Sequence, residues 1–296
     1  MSATGDACFR FVQLDVPGNL GLDSGRYLVR ATSGDADEDE TVLVVQTMGA
    51  PPAGRRLPRR RRRPRRAEAS DPPAEVPITR LTVIPARTQD ANAAQRELEA
   101  LQADPAATEQ AILEGLREVN WVVRAHRIAS QDPYGHGVGR LAPIAVRVGF
   151  GTGGELADGN WSEAFEVPSP ERRQRRADAL RPQERLAELL AGREPIDACE
   201  TLLLRARADV EQGHPREAAL QLGPGLRALL AELSGRAGPG QEEDLATLRD
   251  RVDAIDRAAR EVLEGDLSPE RAEEVADTLQ ICERVLRRRQ ALRDWE

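Results

Sequence analysis

The chain has 296 residues, of which 40% are hydrophobic, 31% charged and only 3% aromatic, and its formal net charge is −8. That apolar fraction is too high for a fully disordered chain, the length suits two domains, and no apolar run is long enough to span a bilayer. All 42 basic residues are arginine, which excludes a lysine Schiff base and a lysine-bearing phosphate loop.

Strand patterns come first along the chain. Phe9, Phe11, Gln13 and Asp15 share one face of the opening run, and Arg10, Val12 and Leu14 share the other, until Pro17, Gly18 and Gly21 break it. A second run, Tyr27 to Val29, precedes an acidic turn from Asp35 to Glu40. The third run spans Thr41 to Met48 and the fourth Ile78 to Ile84. Together they predict a small, mostly antiparallel sheet with long charged loops. The first thirty residues lack a basic start followed by an apolar core, so a cytoplasmic protein with no membrane partner is expected.

Between the third and fourth runs lies an arginine tract: Arg55, Arg56, Arg59, Arg60, Arg61, Arg62, Arg63, Arg65 and Arg66, interrupted by Leu57, Pro58 and Pro64. Like charges repel and prolines break regular structure, so a disordered loop is expected over about 52–76. Nine guanidinium groups could displace counterions from a polyanion, giving weak, nonspecific nucleic-acid binding. With no interleaved aromatic residues, the tract offers no stacking platform. The competing reading is a solvated insert neutralised by the acidic residues 35–40. Setting the tract's nine charges aside leaves −17 on the remaining chain, which opposes close approach of a polyanion.

From Asp104 and Pro105, an N-cap and a first-turn proline, the pattern becomes helical. Ile112, Leu116, Val119, Val123 and His126 share one face, whereas Trp121 falls opposite, which predicts a helix covered on more than one side. A loop over 131–140, a strand over 144–148, a glycine turn and a short strand over 164–167 complete an α+β domain, residues 1–168.

Two segments in this domain have the residue types of a reactive site. Gly149, Gly151 and Gly154 match G-x-G-x-x-G after a strand, but a dinucleotide site needs a long helix immediately afterwards. At most one helical turn fits here, so a glycine-rich turn between strands is expected, with no cofactor. Asp132, Tyr134, His136 and Arg140 crowd a glycine-lined loop, which makes His136 the candidate functional imidazole. His126 reads as a core residue, and His214 sits near a helix C-terminus. No histidine spacing indicates a metal, and Cys8, Cys199 and Cys282 lack C-x-x-C spacing and read as buried, reduced thiols. No catalytic residue is assigned.

After Ser169 and Pro170 no strand pattern returns. Helices are predicted over 170–192, 195–212, 215–234, 241–264 and 269–293, making residues 169–296 an all-α helical bundle. Leu245, Leu248, Val252, Ile255, Ala259 and Val262 form one apolar stripe; Ala272, Val275, Leu279, Cys282 and Leu286 form a second. With Gly265 as a left-handed C-cap and Ser268-Pro269 as a restart, the stripes predict a coiled-coil-like antiparallel hairpin over 241–293. Residues 195–234 form a helix–turn–helix whose turn reads Gly213-His214-Pro215-Arg216-Glu217-Ala218-Ala219-Leu220. With Ala206, Ala218 and Gly225 at small positions and Leu202 at a large one, it resembles the middle of a tetratricopeptide repeat. The resemblance implies a scaffold surface that binds a peptide or partner protein. The expected function is a non-enzymatic interaction or scaffold module that docks a partner protein, or its own copy, through the C-terminal helices. The alternative is polyanion binding by the arginine tract.

Overall fold

Alternating side chains make the first strand the centre of a sheet with two buried faces. A computed structural model describes residues 7–30, 40–49, 76–168, 176–234 and 240–293. The arginine tract and acidic residues 35–39 lie outside them. The chain divides into two compact units, Met1–Arg172 and Arg173–Glu296.

In the first unit the strands are β1 (Cys8–Pro17), β2 (Gly25–Arg30), β3 (Glu40–Met48), β4 (Ile78–Pro85), β5 (Thr88–Gln89), β6 (Ala145–Thr152) and β7 (Glu163–Glu166). The sheet is antiparallel in the order β2-β3-β4-β1-β6-β7, with β5 pairing the start of β1. Register fixes the faces, since side chains alternate along each strand. Val12, Leu14, Val16, Leu43, Val45, Leu81, Val83, Val146 and Val148 pack together with Ile112, Leu116, Val119 and Val123 of helix α2 (Pro105–Ser130). Phe11, Val44 and Ile84 pack on the opposite, outer face with Leu156 of the five-residue helix α3 (Gly153–Ala157).

Helix α1 (Ala91–Ala103) is an element the sequence reading did not assign. Asp90 caps it by accepting from Ala93 N, and Ala94, Leu98 and Leu101 make its buried stripe. Asp104 ends α1 and caps α2, where its carboxylate accepts from Ala106 N and Ala107 N. Trp121 differs from expectation. It stays 42% exposed on α2, although the helix is covered by the sheet on one side and by the loop over 131–144 along a flank.

The strand pairings also set where the connections leave the sheet. Arg30 pairs Glu40 at one end of β3, and Met48 pairs Ile78 at the other. At about 3.3 Å per residue, the attachment points of segments 31–39 and 49–77 are therefore separated by about 26 Å along β3.

The second unit consists of α4 (Arg176–Leu190), α5 (Ala198–Glu211), α6 (Pro215–Glu232), α7 (Glu242–Glu264) and α8 (Pro269–Arg293). Helix α6 packs against α5, α7 and α8, and α5 also meets α8. The α7 and α8 stripes are consequently wider than a two-helix seam. Ala254 and Ala258 on α7, and Thr278, Ile281 and Val285 on α8, are buried beside the expected residues. Gly265 is extended (φ −179°) rather than left-handed. Where α5 crosses α6, Ala206, Ala218 and Gly225 are buried, and a Cβ on Gly225 would lie 3.2 Å from Leu202 Cβ and from Leu203. Asp197 precedes α5 but pairs with Arg289 at 2.5 Å, and Glu232 supplies the cap instead, accepting from Ala198 N and Cys199 N.

Candidate functional site

The most developed polar arrangement in the first unit lies on the outer sheet face, beyond the part covered by α3. The odd-numbered positions of β1 end in Gln13 and Asp15, opposite Thr82 and Arg80 on β4, while Arg147 on β6 faces Gln13. Arg80 grips Asp15 with two parallel bonds, Nε to Oδ1 at 2.8 Å and Nη2 to Oδ2 at 3.0 Å. Arg147 Nη1 donates to Asp15 Oδ2 at 2.8 Å and to Gln13 Oε1 at 3.3 Å. Gln13 Nε2 donates to Thr82 Oγ1 and to the Gly159 carbonyl. The Arg147 guanidinium lies 5.7 Å from the centre of the Trp161 ring, which stacks on Phe11.

Burial works against the Asp15 charge, but the hydrogen bonds and charges of Arg80 and Arg147 outweigh it and hold its carboxyl below the usual value. A carboxylate saturated in this way is a poor proton acceptor near neutral pH, so the arrangement fastens β4, β1 and β6 together. The sequence signal was present but faint: an acid on a strand face otherwise buried, with arginines at outward positions of two other strands.

The glycine motif has a packing explanation. A Cβ on Gly149 would lie 2.2 Å from the Glu163 carbonyl oxygen across the β6–β7 pair, and one on Gly151 would press on Leu156. Thr152 and Glu155 form a capping box on α3, and Glu155 also accepts from Ser162 Oγ. The Thr152 backbone bond, then the Ser162 and Thr152 hydroxyls, hold the Glu155 carboxyl below its ordinary range. Helix α3 has five residues, far short of the long helix a pyrophosphate site uses.

The loop over 131–144 folds back along α2. Gly135 rests on the Arg127 stem, Asn120 holds both the N–H and the carbonyl of Val138, and Arg140 makes a two-bond pair with Glu109. His136 and Tyr134 remain exposed. This loop reaches the sheet where Ile144 N donates to the Asp15 carbonyl, whereas the Gly149–Gly154 turn lies at the far end of β6, beside Cys8. The nearest residues of the two segments, Ile144 and Gly149, are about 17 Å apart along the strand, and the segments do not converge. The small recess in this unit lies on the helix side, lined by Arg10, Gln89, Glu97, Leu98 and Phe150.

The three thiols are buried. Burial pushes the Cys282 thiol up to about 12, and burial together with the Glu232 carboxylate pushes Cys199 up as well. Both stay protonated and unreactive near neutrality. Among the described residues, no group of His, Cys, Asp and Glu could hold a metal ion, and no helix is long and apolar enough to cross a membrane. The nine arginines of the Arg55–Arg66 tract lie outside the described residues. No family model, curated protein or solved structure matches this chain.

Proposed function

We propose that the chain is a non-enzymatic, cytoplasmic protein–protein interaction module whose C-terminal helices dock a partner protein. The supporting observation is a group of uncovered apolar side chains beside a finished core. Leu186 and Leu190 on α4, Ile196 before α5 and Leu204 on α5 are 45%, 79%, 69% and 72% exposed. Exposed apolar side chains on consecutive helices are the raw material of a contact site, and Arg185 ties α4 to Glu200 at the start of α5. The small-residue crossing of α5 and α6 supports the tetratricopeptide-like reading, in which a helical hairpin presents a peptide-binding surface. The test is affinity purification of the full chain at low and high salt, comparing it with a Leu186→Glu/Leu204→Glu variant by quantitative mass spectrometry. A partner retained at high salt and lost from the variant supports the proposal; identical retention by both overturns it.

One observation favours a second reading, polyanion binding through Arg55–Arg66. It lies in the sequence: nine arginines fall within residues 55–66 with no acidic residue among them. Deleting residues 55–66 should abolish salt-sensitive retention on heparin. Unchanged retention would remove this reading.

A further inference from the structure

Two of the exposed apolar side chains of the second unit flank the turn from α4 into α5. Leu190 is the last residue of α4 and Ile196 stands two residues before α5, 79% and 69% exposed. The turn itself is held at both ends. Gly192 N and Arg193 N donate back to the Leu189 and Glu188 carbonyls, and Arg185 Nη2 donates to Glu194 and to Glu200. The C-terminal end of α8 arrives beside this turn. Arg207 on α5 pairs with Glu283 on α8, and Asp197 with Arg289, so the two helices run antiparallel. Residues beyond Arg289 therefore continue past the start of α5, in the direction of Ile196. Helix α8 runs four more residues to Arg293, about 6 Å, and Asp294, Trp295 and Glu296 follow outside the described residues. Two further residues span at most about 7 Å, so the Trp295 backbone lies within about 13 Å of that of Arg289.

From this we infer that Trp295 folds back onto Leu190 and Ile196 and caps that end of the apolar surface within the same chain. A tryptophan side chain buries about 150–250 Å² when covered, and two exposed aliphatic side chains beside its attachment point offer that cover. The tether decides the occupant. A group held on a short linker is present at an effective concentration of about millimolar, which a second copy or a foreign peptide in dilute solution does not match. The contact is apolar and needs no free charge, so the pairing of Arg185, Arg193 and Arg289 with their carboxylates does not oppose it. A protein partner seated on Leu186, Leu190, Ile196 and Leu204 must displace the cap. That competition rests on the docking reading above; the seating of Trp295 does not.

The test uses the full chain carrying Trp121→Phe and Trp161→Phe, which leaves Trp295 as the sole indole. Its fluorescence is quenched with acrylamide beside free N-acetyltryptophanamide. The expected result is a blue-shifted emission and a quenching constant at least threefold below that of the free compound. Adding Leu190→Ser/Ile196→Ser should raise the constant at least twofold with circular dichroism unchanged. Adding Leu263→Ser should leave it unchanged, because that exposed leucine lies about 28 Å along α7 from Asp244, the residue Arg288 reaches. Quenching equal to the free compound, no response to the double serine change, or protection that grows over a hundredfold range of protein concentration would each overturn the inference. Fluorine NMR of the otherwise unaltered chain labelled with 5-fluorotryptophan, with Trp295→Phe assigning the resonance, repeats the comparison without the two phenylalanine replacements. A separate arm addresses the competition: Trp295→Ala should raise retention of the salt-resistant partner at least twofold. Unchanged retention alongside a protected Trp295 would overturn the partner reading of this surface and leave the cap standing.

Discussion

Asp15 shows how much one side chain can carry. It is 6% exposed and holds two arginines from two different strands, so replacing it with Asn leaves two guanidiniums facing a neutral amide. Breaking a buried pair from one side costs about 3–5 kcal/mol, and Asp15→Asn should lower the urea midpoint of the first unit accordingly. The pH dependence has a definite sign. Because the folded carboxyl lies below its ordinary value, its contribution is complete above about pH 4 and drains away as pH falls through the folded value. Denaturation series between pH 5 and 2 should show that acid limb in the wild type and a shallower one in Asp15→Asn; identical slopes would refute the assignment. The sequence placed Asp15 on one strand face with Phe9, Phe11 and Gln13, but could not reveal its partners. Those depend on β4 and β6 flanking β1, and strand order is a long-range property.

At the scale of elements, helices were more legible than strands' neighbours. All five C-terminal helices could be read from apolar spacing, because a stripe repeats locally and requires no knowledge of what it meets. Helix α1 was missed. Its stripe has three buried positions, Ala94, Leu98 and Leu101, in a text rich in Gln, Glu and Ala, so the apolar signal is thin even though Asp90 marks its start. The stripes of α7 and α8 suggested a two-helix seam, but α6 broadens it by packing against both, which is why Ala258 and Val285 are buried as well. The α5–α6 crossing depends on Gly225, where the two helices approach to within 3.2 Å of a virtual Cβ. Gly225→Val should overpack that contact and destabilise the bundle by about 1–3 kcal/mol despite its better side-chain burial. Thermal melts followed at 222 nm will decide, and a Tm equal to wild type would show that the crossing yields.

For the molecule as a whole, the two units have separate hydrophobic cores: one of Leu, Ala and Val between helices, the others distributed over two sheet faces. Fragments 1–172 and 173–296 should therefore each fold, the second giving a strongly helical spectrum and a cooperative melt. A fragment that is unfolded alone but rescued by the other would contradict this. The change from strand to helix patterns near residue 169 made the architecture readable, since periodicity changes abruptly there. Function was far less legible, because the candidate surfaces consist of ordinary residues whose meaning comes from exposure.

The ionic fastenings share a chemical asymmetry. Asp244 with Arg284 and Arg288, Arg185 with Glu194 and Glu200, and Arg216 with Asp266 all use guanidinium as the cation. Ammonium groups would begin to discharge near pH 10, whereas guanidinium keeps its proton beyond pH 12. Alkali should accordingly leave these clasps shut, and the melting temperature at pH 10 should stay within a few degrees of that at pH 8.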